Sequence, residues 1–292
     1  MHETYFEIAD QTICLCTPEP LTVEPYFRPY LTEPRADCLR CGFAEDPELP
    51  AEDTPGQLLF GDRMYRIVLS PRGVWEDFYI PYALRPRSAW PDAVQRLDGH
   101  RILVRYRPQA ARYFASAGGC FNVLKIERLL IGAHRAVLHA SFLDWQGRGI
   151  AFTAPSGTGK STQAALWERY AGAETVNGDR MVFGCRGETL CGFGLPIAGS
   201  SKVFLKRCLP LAAVVLLEQG PENQIFRERP SGALPFLLAQ TTVNRWDGGF
   251  MTEVLALLES LLERVPVYRL RCRPDRGAVD CLRAALEGRE GI

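Results

Sequence analysis

The chain has 292 residues, 47% of them hydrophobic and 23% charged, which sets it among ordinary globular proteins with room for two domains. Lys plus Arg and Asp plus Glu are equal at 34 each, so no global field draws it to nucleic acid or to an anionic membrane. Its lysines are Lys125, Lys160, Lys202 and Lys206, so few that each is worth placing.

The opening stretch MHETYFEIAD carries acids and no basic region ahead of an apolar run. Nowhere do about 18 uncharged apolar residues follow one another, and a cytoplasmic protein that spans no membrane is expected. Up to residue 121 the pattern is β-rich. TICLC, LLFG, MYRIVLS, DFYIPYAL and RILVRY are short apolar runs separated by Pro and Gly, which predicts a meander or curved sheet. Between them AEDPELPAEDTPG, residues 44–56, is acidic and Pro-rich and reads as an exposed loop. The ten cysteines, at scattered spacings, read as free thiols. Cys14, Cys16, Cys38 and Cys41 have the ligand chemistry of a tetrahedral zinc site. A C-x-C pair is poor for a zinc finger, and it fits a strand that turns both thiols to one face, which is the preferred reading.

The character changes at Asn122, which divides the chain into a β-rich N-terminal domain (1–121), serving substrate recognition or regulation, and an α/β domain (122–292). NVLKIERLLIGAHR has apolar Val123, Ile126, Leu129 and Leu130 at helical spacing. AVLHASFLDWQGRGIAFTA predicts two strands joined by a turn at Gln146-Gly147. STQAALWERYAG predicts a helix with Leu166, Trp167 and Tyr170 on one face. ETVNGDR and LAAVVLLE are predicted strands, MTEVLALLESLLERV a helix, VYRLRC a strand, and a last helix runs from about Asp275 to Leu286. Strands alternating with helices argue an α/β fold around a largely buried sheet.

AFTAPSGTGKST, residues 151–162, holds the chemistry. A strand, a Gly-rich turn and Lys-Ser/Thr opening a helix together make the context of a phosphate-binding P-loop. Ser156, Gly157, Thr158 and Gly159 would turn backbone N–H groups toward an anion at a helix N-terminus. Lys160 would reach the β- and γ-phosphates, Ser161 would ligate Mg²⁺, and Thr162 would complete the helix start. Ala154 stands where the motif's first Gly usually sits, and a methyl is tolerated there if the backbone keeps negative φ. Asp179 is placed to take a hydroxyl proton or to contact Mg²⁺. Glu218, ending LAAVVLLE, is the second candidate for that role. Arg245 in QTTVNRWDGG could stabilise a transferring phosphate, although a turn with Asp247 as helix cap suits the pattern better. Lys202 and Lys206 read as a solvated strand. Alternation puts Val137, His139, Ser141 and Leu143 on one strand face, which alone makes His139 a hydrogen-bonded core histidine.

LHAS, a turn, a strand, SGTGKST and then NGDR together resemble the kinase domain of HPr kinase/phosphorylases, whose fold is shared with phosphoenolpyruvate carboxykinases. The resemblance spans roughly residues 122–220. It implies an active-site pairing of His139 with an acidic residue and catalytic roles for His139, Lys160 and Asp179. The family's paired Asp is reduced here to Asn177-Gly178-Asp179, which leaves Asp179 as the base. LCGFGLPIAGSSKVF is only loosely similar to the family's protein-substrate segment, and the N-terminal domain does not read like the family's regulatory domain. The chain is more similar to HPr-kinase-like proteins with divergent N-terminal β domains, some of which phosphorylate a serine of a ribosomally made peptide. The expected function is thus ATP- and Mg²⁺-dependent phosphorylation of a Ser or Thr in a peptide or protein, by a monomer or homo-oligomer. A small-molecule kinase and a nucleotide switch without transfer remain the alternatives.

Overall fold

Turn chemistry and period-two apolar runs build most of the first half of the chain. In the computed structural model, which describes residues 1–49, 56–61, 65–71, 73–78, 92–98, 101–197 and 202–288, the fold is mixed α/β with two sheets. The chain divides into two units, Met1–Leu129 and Leu130–Ile292. The change of character at Asn122 therefore falls inside the first unit.

In that unit β1 (His2–Ile8), β2 (Gln11–Thr17), β3 (Leu39–Glu45), β4 (Gln57–Gly61), β5 (Tyr65–Ser70), β6 (Gly73–Phe78), β7 (Ala93–Asp98) and β8 (Arg101–Tyr106) form one sheet. Its order is β1-β2-β3-β8-β7-β6-β5-β4, antiparallel except for β2–β3 and β3–β8. The β1–β2 hairpin turns on Ala9 and Asp10, both at positive φ, as a two-residue turn matched to strand twist requires. Of the predicted strands, DFYIPYAL contributes only Asp77 and Phe78, to β6, and its other residues lie outside the described ones. In residues 44–56, Leu49 is buried at 2% exposure, contrary to an exposed loop throughout, and residues 50–55 lie outside the described ones.

Short helices α1 (Ala111–Phe114) and α2 (Ala117–Leu124) follow, then α3 (Ile126–Ile131). The single helix expected over NVLKIERLLIGAHR is two, because Lys125 adopts a left-handed φ of 57° and ends α2. Val123, Ile126, Leu129 and Leu130 are all buried nonetheless. Phe121 of α2 meets Phe6 edge-on and stacks on Phe27, so α2 belongs to the core of the first unit.

The zinc set of four thiols does not assemble. Cys14 and Cys16 share a face of β2, with Sγ atoms 3.5 Å apart. Cys41 stands in register with Leu15 and so points to the opposite face, as strand alternation dictates. All ten cysteines are free.

The second unit runs β9 (Ala136–Trp145), β10 (Arg148–Thr153), α4 (Lys160–Ala171), β11 (Glu174–Asn177), β12 (Arg180–Arg186), β13 (Thr189–Phe193), β14 (Cys208–Gln219), β15 (Gln224–Arg227), α5 (Pro230–Gln240), α6 (Gly248–Arg264), β16 (Val267–Cys272) and α7 (Arg276–Leu286). Gln146 and Gly147, at φ 56° and 77°, make the predicted β9–β10 turn. The sheet order is β10-β9-β12-β13-β14-β16-β15, with β11 beside β9. β10 pairs with β14 as well as β9, which closes a ring of strands through β12 and β13. Only β10–β14 and β14–β16 are parallel, so the sheet is mixed where strict strand–helix alternation would make it parallel.

Alternate side chains of this sheet feed two cores. Leu138, Phe142, Val214 and Leu216 pack with Leu237 of α5 and with Val254, Leu258 and Leu261 of α6. Leu143, Phe152 and Val215 pack with Ala164 and Trp167 of α4 and Val279 and Leu282 of α7. His139 and Ser141 share the parity of Leu143, so they lie on the α4 side of β9. No helix among the described residues is long and apolar enough to cross a membrane.

Candidate functional site

β10 ends at Thr153, and six residues separate it from α4. Between them Gly157 and Gly159 take φ of 81° and 115°. A Cβ at either would meet no atom within 4 Å, so glycine is needed there for backbone conformation and not for space. Ala154 is fully buried and is not among the residues at positive φ, which explains how the turn accepts a methyl there. Gly159 is the N-cap of α4 and no side chain caps that end, which leaves backbone N–H groups available to an anion.

Lys160 opens α4 and folds back along the turn. Its Nζ donates to the carbonyls of Ala154 at 2.8 Å and Pro155 at 3.3 Å. Burial lowers the ammonium below its ordinary value, and the nearby Asp179 charge opposes that shift.

Asp179 reaches the same place from across the sheet. β11 and β12 run as one broken strand along β9, and the break falls at Gly178-Asp179. Asn177 makes the break. It is fully buried, and its Oδ1 accepts from the backbone N–H of Asp179 and of Arg180, both at 2.9 Å. Its Nδ2 donates to the carbonyls of Leu195 at 3.1 Å and Ile197 at 2.8 Å. Two amide hydrogens facing carbonyls and one oxygen facing N–H groups leave only an amide able to satisfy this position. Ser141 Oγ donates to Gly178 O at 3.0 Å, and Ala140 N to Asp179 O at 3.0 Å, which ties the turn to β9.

His139 Nε2 lies 3.5 Å from Asp179 Oδ1, longer than a normal hydrogen bond, and the Arg180 Nε lies 3.4 Å from Oδ2. About a third of the His139 and Asp179 side chains is exposed, so His139 is not sealed in the core. Burial pushes the imidazole below its ordinary value and the Lys160 charge adds to that, whereas Asp179 and a hydrogen bond with the Gln240 side chain pull it up. The net direction is toward a neutral ring.

These side chains surround one recess of about 290 Å³, lined by His139, Ser156, Gly157, Gly159, Lys160, Ser161, Thr162, Gly178 and Asp179. Thr158 is absent from that wall and lines an adjoining recess of about 430 Å³ that reaches Gln163, Gln219 and Arg273. The other candidates stay apart from this cluster. Glu218 is engaged by Arg269, and Arg271 lies 3.7 Å from it. Arg245 is exposed and lines neither recess, while Asp247 accepts from Phe250 N at 3.0 Å as the cap of α6. Lys202, at φ 52°, and Lys206 are exposed in an irregular segment touched by an isolated bridge, Asn177 with Phe204, and are not in a regular strand.

Asn177, a lost acid by resemblance, is the residue that shapes the turn, and Arg180 and Gln240 join the site beyond the candidates named from the sequence. The N-G-D turn signature marks Asn177 as a residue that bonds the backbone two positions on. Nothing local marks Gln240.

No family model and no curated protein matches the chain. Among solved structures, it is similar to the Hpr(Ser) kinase/phosphatase from Coxiella burnetii, at 15% identity and a TM-score of 0.30, over 53% of this chain and 94% of that one. The relationship is a distant structural one.

Proposed function

We propose that the second unit binds ATP with Mg²⁺ and transfers the γ-phosphoryl group to a Ser or Thr hydroxyl of a peptide or protein. The observation that carries this reading is the meeting of Lys160, Asp179 and His139 at one recess beside an uncapped helix N-terminus. The N–H groups of the glycine turn and the start of α4 hold the phosphates. Lys160 exchanges its carbonyl contacts for β- and γ-oxygens, and the anion restores the basicity that burial removes.

Ser161 is exposed at the recess and Asp179 faces it, so both offer the hard oxygen ligands that magnesium takes. When bound, the metal neutralises charge on the phosphate oxygens. Asp179 accepts the acceptor's proton as the hydroxyl oxygen bonds to the γ-phosphorus and the bond to ADP's bridging oxygen breaks. The Arg180 guanidinium and the turn bonded by Asn177 hold the carboxylate in place, with neutral His139 beside it. We assign substrate recognition or regulation to the first unit.

The test is incubation of the full chain with γ-labelled ATP, Mg²⁺ and a library of Ser- and Thr-containing peptides, with mass spectrometry to locate phosphate. A phosphorylated Ser or Thr is expected. Label passing only to a sugar or free amino acid would replace the acceptor, and ATP binding with no transfer to any acceptor would make the unit a switch.

A further inference from the structure

One cluster of the first unit has no part in phosphoryl transfer. Strand alternation turns Cys14 and Cys16 to the face of the sheet away from Phe6, Ile13 and Leu15. Register then sets Glu3 opposite Cys16, Tyr5 opposite Cys14, and Arg40 of β3 beside Cys14. Arg40 donates to the Glu3 carboxylate and to Cys16 Sγ, the latter at 3.4 Å, and the Tyr5 hydroxyl donates to the other Glu3 oxygen. Both cysteines are buried, at 0% and 6% exposure, beneath a Glu3–Arg40 pair whose side chains are each 41% exposed. Among the described residues, Glu3, Cys14 and Cys16 offer three ligand atoms within 4.8 Å of one another.

We propose that Glu3, Cys14 and Cys16 bind one thiophilic divalent cation of the zinc type, with a solvent molecule completing the tetrahedron. Two sulfurs about 2.3 Å from a tetrahedral zinc lie about 3.8 Å apart, and the observed Sγ separation is 3.5 Å, so the pair needs little rearrangement. The charges close. Two thiolates and a carboxylate carry three negative charges, and Arg40 with a divalent cation carries three positive ones. Glu3 keeps lone pairs for the ion beyond those taken by Tyr5 and Arg40, since a carboxylate has about four acceptor sites. Two sulfurs and one oxygen on a rigid strand pair favour a soft or borderline ion over Mg²⁺ or Ca²⁺. Cys41 is excluded by its face, and Cys38 does not join the group. The ion would fasten the N-terminal strand β1 to β2.

The experiment is titration of chelator-treated full-length protein with Cd²⁺, followed by thiolate-to-cadmium charge-transfer absorption, and then displacement by Zn²⁺. One equivalent is expected to bind, and binding should be lost in Cys14→Ser/Cys16→Ser and unchanged in Cys38→Ser. Glu3→Gln, an exposed change that spares the fold, should weaken binding about tenfold or more, no less than loss of an outer-sphere partner does. No charge-transfer band, a band that survives in Cys14→Ser/Cys16→Ser, or full affinity in Glu3→Gln would each overturn the site. None of these results depends on whether the second unit is a kinase.

Discussion

Asn177→Asp is the sharpest probe of how the proposed base is held, because it nominally supplies an acid beside Asp179 while dismantling the turn that positions it. An ionised carboxylate loses both N–H donors and confronts the carbonyls of Leu195 and Ile197, which the amide now satisfies at 3.1 and 2.8 Å. Two lost hydrogen bonds at about 1 kcal/mol each, plus at least about 1 kcal/mol for orphaned carbonyls, make about 3 kcal/mol before any repulsion. A protonated carboxyl recovers one bond, but holding an Asp with an ordinary pKa of about 3.9 neutral at pH 7 costs about 4 kcal/mol. With its one lost bond added, the protonated route costs about 5 kcal/mol or more, so the deficit at pH 7 is at least about 3 kcal/mol. The protonated route implies a folded pKa raised above the unfolded one. Its stability is then full below about pH 3.9 and lost as pH rises through the folded pKa, so below that pKa the deficit should shrink by about 1.4 kcal/mol per pH unit toward acid. Urea denaturation at pH 7 and pH 5 measures both, followed by fluorescence of Trp145 and Trp167, which are buried edge-to-face at 5.3 Å in the second unit. A deficit under about 0.5 kcal/mol at pH 7, the range of an ordinary surface substitution, or one that grows toward pH 5, would refute the reasoning.

Other expectations are shorter. Lys160→Ala should abolish ATP·Mg²⁺ binding by calorimetry while leaving the fold intact, because it removes a charge whose burial is unfavourable; unchanged binding would exclude the glycine turn as the phosphate site. The His139 imidazole, followed by NMR, should titrate below its ordinary 6.5. Lys160→Ala should move that midpoint up and Asp179→Asn should move it down, and a wild-type midpoint above 6.5 would contradict the site's electrostatics. Since the folded value is depressed, His139 contributes stability above pH 6.5 that is lost as pH falls through the folded midpoint. Gly159→Ala should lose about 1 kcal/mol or more, from backbone strain at φ 115° with no steric clash, measured by the same denaturation.

The sequence carried the local parts of this structure well and the long-range parts poorly. The Gln146-Gly147 turn, the glycines before α4, the Asp247 cap and the common face of Cys14 and Cys16 follow from chemistry within a few residues. His139 could be placed on a strand face, but its nearness to Asp179 depends on β12 pairing with β9. The break at Lys125 required a non-glycine residue at positive φ, for which sequence offers no sign. Asn177 looked like a missing acid because its two carbonyl partners come from beyond β13. Glu218 looked available because its partner Arg269 lies on β16, in contact only once β14 and β16 pair.

The central claim is that Asp179 takes the acceptor's proton, in a site whose hold on ATP·Mg²⁺ survives Asp179→Asn because the amide still offers magnesium an oxygen ligand. Parallel measurement of ATP·Mg²⁺ affinity and γ-phosphoryl transfer in wild type and Asp179→Asn tests it most directly. The account predicts retained nucleotide binding with transfer slower by about 10² or more. Transfer by Asp179→Asn at the wild-type rate would contradict it.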